Sequence, residues 1–250
     1  MRNGVTDQLT TFYAGNNLLT CIETLDPGYA AENWTSENNN IDEGVEFSMV
    51  CGPADQDVWH VATSGSNTVG NGTQESPLET IQMGIEVAGD GDTIQVAAGT
   101  YGENINYNGK TIAVLGAGPD LTIIDGSQSG SVVTIENGES SDAVLSGVML
   151  KNGSSSNGGG IYISSSNPTL GSVAIVSNTA SGNGGGIYLQ NSNPSLKNLT
   201  ISSNTSSSGG GLYIESGSPT LVNTIIWDNA PESISGDGAT ITYSDIQGSW

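Results

Sequence analysis

"NGGGIYISSSNPTL" occupies residues 157–170, and two near-copies follow it: "NGGGIYLQNSNPSL" at 183–196 and "SGGGLYIESGSPTL" at 208–221. Three glycines, a short apolar run and a proline turn therefore recur every 25–26 residues. The turn dipeptides Asn167-Pro168, Asn193-Pro194 and Ser218-Pro219 keep the same step, as do Asn152, Asn178, Asn204 and Asn229. Markers in register at a fixed period of this size define a repeat architecture, in which each unit packs on its neighbours.

Each repeat holds about three apolar segments, such as "SVAIV", "GIYL" and "SLKN", none longer than five or six residues. Antiparallel hairpins would need a turn pair in every repeat, and no such pair recurs. A chain that returns to the same place on each circuit instead stacks like segments in parallel. The expected fold is all-β: a right-handed parallel β-helix with three short strands per rung and rungs ~4.8 Å apart. Ile161, Ile187 and Leu212 then form one core column, and Ile163, Leu189 and Ile214 the next. Alternation turns Tyr162, Tyr188 and Tyr213 outward as a ladder. Glycine permits the sharp corner, and asparagine tolerates left-handed bends while bonding its equivalents on adjacent rungs. In the first repeat Met149 stands where Ile175, Ile201 and Ile226 stand later, which predicts a bulge or a different turn there.

The chain divides into three parts: residues 1–52 without the repeat, a cap over 53–92, and 93–250 as six or seven rungs. The cap carries a helix signal. Ser76 as N-cap, Pro77 at the first helical position and Glu79 form a capping box, and Leu78, Ile81, Ile85 and Ala88 recur at helical spacing. This predicts a helix over about 77–88 that covers the open first turn of the solenoid.

Charge narrows the partners. The 250 residues carry 26 Asp+Glu against 4 Lys+Arg, a net charge of −22. Phosphate binding needs Lys and Arg, so nucleic acid is excluded as a partner. No stretch is apolar enough to insert in a bilayer. The composition suits a secreted or cell-surface location. Cys21 and Cys51, both in one short segment, are expected to form a disulfide, the alternative being two buried thiols; with no His or third Cys nearby, no metal site is expected.

Catalysis finds little support. A polysaccharide lyase needs a Lys or Arg base beside calcium-binding carboxylates, but the repeat region offers only Lys110, Lys151 and Lys197, on no common face. A hydrolase needs paired carboxylates, and Asp125, Asp142, Asp228, Asp237 and Asp245 are scattered. His60 stands in the cap and Arg2 at the start. No catalytic residue is therefore assigned, and no cofactor apart from possible calcium. The tyrosine ladder could stack on surface glycans or simply pack across rungs.

Three resemblances follow from these residues. "GGGIY" after an Asn resembles the GGAI-type repeat of bacterial polymorphic outer-membrane proteins and related β-helix adhesins. "VATSGSNTVGNGTQESPLETIQMGIEVAGDGDTIQVAAGTY" resembles the N-terminal cap and first rung of pectin-lyase-like secreted proteins. "LTTFYAGNNLLTCIETLDPGYAAENWTSENNNIDEGVEFSMVCG" is similar to the C-terminal cap of bacterial surface leucine-rich repeats. They imply a piece of a longer surface protein, acting as a non-catalytic structural or adhesive module. The alternatives are a filament subunit that stacks head to tail on itself and a calcium-dependent lyase.

Overall fold

The computed structural model describes residues 12–16, 19–24, 26–52 and 56–248; Arg2 and Trp250 lie outside them. From Val58 onward the chain winds into three sheets whose strands pair only in parallel. The first sheet has eight strands, from Val58–Val61 and Thr93–Val96 to Thr220–Val222 and Thr240–Thr242. The second has seven, from Gly99–Tyr101 to Ile225–Trp227 and Asp245–Ile246. The third has six, among them Val133–Ile135, Ile161–Ser164, Ile187–Gln190, Leu212–Ile214 and Ile234–Ser235. This is the expected right-handed parallel β-helix, of about eight turns. The added turn comes from the cap, whose strand Val58–Val61 already pairs with Thr93–Val96.

Register explains the repeat. Ile161 pairs with Ile187 and Ile187 with Leu212, while Ile163, Leu189 and Ile214 form the neighbouring column. All six side chains are buried in one core that runs from Val50 to Ile234. Each such Ile or Leu contributes about 1.5–3 kcal/mol by leaving water. The triple glycine has two separate causes. Gly158, Gly184 and Gly209 have φ of +64°, +67° and +62°, which L side chains rarely adopt. A Cβ on Gly159 or Gly160 would meet backbone oxygens of the next coil at 2.5 Å, so the corner must stay bare.

The cap helix departs from the expected bounds. Helix α2 spans Ile81–Val87, and its N-cap is Thr80, whose hydroxyl accepts from the Met83 N–H at 3.3 Å. Ser76 and Pro77 lie outside it. Leu78 N–H donates to His60 O and Leu78 O accepts from Ala62 N–H, so this segment pairs with the first strand instead of coiling. Asn67 Oδ1 accepts from Glu79 N–H at 2.8 Å and Thr80 N–H at 3.2 Å, which holds the helix entry. Tertiary hydrogen bonds have overridden a local capping signal.

The first repeat needs no bulge. Met149 pairs with Ala174 and Leu150 with Ile175, in unbroken register. Asn152, with φ +56°, is therefore level with Ser177, Ser203 and Asp228, at +56°, +56° and +58°.

Before the coil, Cys21–Glu23 and Glu46–Ser48 form a parallel pair, with helix α1 (Pro27–Asn33) between them. Phe12, Ala14, Ile22, Ala30 and Trp34 make a second, separate core. Cys21 and Cys51 form a disulfide, their Cα atoms 5.8 Å apart.

Candidate functional site

Three rows of side chains run along the coil. The first is the asparagine row at the corner between the second and third sheets. Asn178 N–H and Nδ2 both donate to Asn204 Oδ1, at 2.9 and 3.0 Å. Asn204 does the same to Asn229 Oδ1, at 3.0 Å each. Their Nδ2 groups also donate to Leu150 O, Ile175 O and Ile201 O on preceding coils. These buried amides are fully used in joining rungs. Asn152 is not a member of the row. Gly153 occupies the corresponding place, donating its N–H to Asn178 Oδ1 at 2.8 Å, and Asn152 sits one residue earlier in the left-handed bend.

The second row is the tyrosine ladder on the outside of the third sheet. Tyr162 and Tyr188 stack with ring centroids 5.3 Å apart and planes 7° apart; Tyr188 and Tyr213 follow at 5.7 Å and 1°. The rings point away from the core, as alternation requires, but their faces cover one another. Tyr188 is only 4% exposed as a result. A sugar ring therefore cannot lie on the face of the central tyrosine.

The third row is polar. Ser164 Oγ bonds Gln190 Oε1 at 3.2 Å, and Gln190 Nε2 donates to Glu215 Oε2 at 3.2 Å, beside the tyrosines.

The ionisable groups are placed apart. Lys110 lies under α2 and donates Nζ to Ile85 O, Glu86 O and Ala88 O at 2.7–2.8 Å. Burial lowers its ammonium below the usual lysine range, against the pull of Asp90, Glu86 and Asp92. At the other end of α2, Glu103 Oε1 and Oε2 accept from Ile81 N–H and Gln82 N–H at 2.9 Å each. Burial raises the Glu103 carboxyl, and those two N–H groups pull it back. An acid at the N-terminus and a cation at the C-terminus both match the helix dipole. Neither role was visible in the sequence, because each partner lies some twenty residues downstream of the helix end it serves.

Lys151 faces outward on the second sheet, 3.5 Å from Asp125. Burial pushes the Asp125 carboxyl up, but Ser127 N–H, the Asn152 amide and Lys151 together outweigh it and hold it below the usual range. Lys197 is exposed on the first sheet, in register with Gly171 and Val222. His60 stays within the first strand, its N–H bonded to Gly72 O. The structure thus brings none of the three lysines together. Glu139, buried at 1% exposure, accepts from Gly109 N–H, Asn137 N–H and Ser166 Oγ, and so is satisfied in place. Among the described residues no three His, Cys, Asp or Glu side chains are grouped to hold a metal ion.

Comparison with known proteins agrees with this picture at the level of fold. The profile of the Chlamydia polymorphic membrane protein repeat matches residues 172–190. No curated protein matches the chain in sequence. Among solved structures, pectate lyase Pel9A is similar with 18% identity and a TM-score of 0.59, covering 78% of this chain and 54% of its own. A pectin methylesterase in complex with hexasaccharide VII has 13% identity and a TM-score of 0.48, covering 74% of this chain and 64% of its own. The chain thus spans about half the length of the pectate lyase, and the likeness is one of fold.

Proposed function

We propose that this chain is a non-catalytic structural or adhesive module of a secreted or cell-surface bacterial protein. The observation that carries the reading is the commitment of its side chains: the buried amides, stacked rings and two of the three coil lysines are spent on holding rungs and cap together. The match of residues 172–190 to a polymorphic membrane protein repeat supports a surface setting. In the same reading, residues 1–52 derive from the last turn of a leucine-rich array. The parallel pairing of Cys21 with Glu46, a circuit of 25 residues (46 − 21), supports that origin.

Two assays test the proposal together. Beads coated with the chain should adhere to cell surfaces, while polygalacturonate incubated with it, with or without calcium, should give no rise in ultraviolet absorbance from unsaturated products. Such a rise, abolished in Lys151→Ala or Lys197→Ala, would replace the module with a lyase.

A further inference from the structure

Tyr188 has both ring faces covered by its neighbours, whereas other rings of the coil are open. On the outside of the second sheet, register stacks Lys151, Val176, Ser202 and Trp227 in one column, and Met149, Ala174, Thr200 and Ile225 in the next. Trp227 is 49% exposed and Ile225 48%. Tyr243, in the turn that leads to the neighbouring strand Asp245–Ile246, is 89% exposed. Trp227 makes no ring contact, and its indole N–H has no partner among the described residues. Trp227 and Ile225 share one face of the second sheet, two residues apart, with Tyr243 in the turn at its edge, and exposed apolar side chains so placed mark an interaction site.

The borders of these rings show what kind of ligand they suit. Trp227 has Ser202 beside it on the preceding strand, and Asp228 and Ser203 at the adjoining bend. Ile225 has Thr200 on one side and Asp245 on the other. Asn223 and Asn198 line the turn below, joined through Asn223 Nδ2 and Asn198 Oδ1 at 2.7 Å. A protein interface core is contiguous and depleted of charge. Here each apolar side chain is instead ringed by hydroxyl, amide and carboxylate groups. That pattern fits a ligand with an apolar ring face and a hydroxyl edge. Charge then selects within that class. Asp228 and Asp245 flank the patch, while Lys151 stands three strands away and is paired with Asp125. An anionic sugar would be repelled; a neutral one can donate hydroxyls to the carboxylates.

We propose that Trp227, with Ile225 and Tyr243, forms a platform for the pyranose rings of a neutral glycan, with Ser202, Asn223, Asp228 and Asp245 bonding its hydroxyls. This rests on the adhesive reading above and names its ligand. The test is calorimetric titration of the whole chain with neutral hexaoses of glucose, mannose and galactose, and with hexagalacturonate. At least one neutral hexaose should bind, and Trp227→Ala should weaken it at least tenfold with an unchanged thermal midpoint. Tyr162→Ser, at the free end of the tyrosine ladder, should leave binding intact. No neutral hexaose bound at millimolar concentration, equal binding by Trp227→Ala, or preference for hexagalacturonate would each overturn the assignment. So would an apolar peptide captured at Trp227 without competition from sugar. Beads that still adhere to cells while no hexaose binds would refute the glycan platform and leave the adhesive module standing; loss of both would refute both.

Discussion

Asn204 and Asn152 carry the same side chain at the same apparent step, yet one joins three coils inside the wall and the other makes a single bond to Asp125 outside it. Asn204 accepts two hydrogen bonds from Asn178 and donates to Ile175 O and Asn229 Oδ1 inside the wall. Asn204→Ala would leave buried groups of both neighbours unpaired, at about 1–3 kcal/mol for each such group. Asn152 has a left-handed φ of +56°, which glycine adopts freely, and its Nδ2 donates to Asp125 Oδ2 at 2.9 Å. Urea unfolding should therefore show a large loss for Asn204→Ala and a smaller one for Asn152→Gly, about 0.5–1.5 kcal/mol for its one bond to Asp125. Equal losses would mean that the row includes Asn152 after all. Spacing could not separate the two, because a period that alternates between 25 and 26 residues leaves a one-residue ambiguity. The signal lay nearby: Leu150 is two residues before Asn152, whereas Ile175 is three before Asn178. Tyr188 shows a similar limit. Its outward direction was legible from alternation, its burial was not, since that comes from Tyr162 and Tyr213 on other coils. Tyr188→Ser removes two stacked pairs, each worth about 0.5–1.5 kcal/mol. It should still cost less than Ile187→Asp, which buries an unpaired charge.

At the scale of elements, the seven-residue helix α2 is too short to hold itself together, and its two ends are fixed by the first coil. Glu103→Ala leaves Ile81 N–H and Gln82 N–H without their acceptor, and should cost about 1–3 kcal/mol. The pH dependence has a definite sign. The folded Glu103 carboxyl titrates above its ordinary value of 4.5 because burial disfavours its charge. The fold therefore carries a penalty above the folded value, and that penalty is relieved as pH falls toward 4.5. Wild type should gain on Glu103→Gln as pH drops from 7 through the carboxylate range. Asp125 runs the other way. Its carboxyl is held below 3.8, so its stabilisation is present above that value and lost as pH falls through the folded one. Asp125→Asn should be the weaker protein at neutral pH and its equal in strong acid. Parallel pH series of thermal midpoints would show whether the two slopes differ in sign. The strands were legible because their markers act locally: a glycine for a bend, a proline for a turn, alternating Ile and Leu for a core column. The helix start was not, because Leu78 pairs with the first strand, and nothing in "SPLET" records that partner.

The whole molecule contains two cores, and the disulfide joins them. Phe12, Ala14, Ile22, Ala30 and Trp34 form the smaller core, with Trp34 stacked on Phe12 at 4.6 Å and near Phe47 at 5.8 Å. The larger core begins at Val50, the residue before Cys51. The bridge from Cys21 to Cys51 thus closes a loop of separation 30 that holds Ile22, Ala30 and Trp34 of the smaller core, with Phe12 and Ala14 just before it. In the chain-entropy account a loop of that size contributes roughly 3–4 kcal/mol. A core of so few buried side chains has little stability to spare. The coil is different: its rungs support one another through continuous ladders, and no cysteine lies within it. Reduction should therefore melt residues 12–48 while the coil persists. Near-ultraviolet signals from Trp34 should collapse with reductant at a temperature where the far-ultraviolet β signal is unchanged. Thiol titration of the unfolded, unreduced chain should find no reactive sulfur. A single transition of both signals, unmoved by reductant, would show that the two cores melt as one and that the bridge adds nothing to their union.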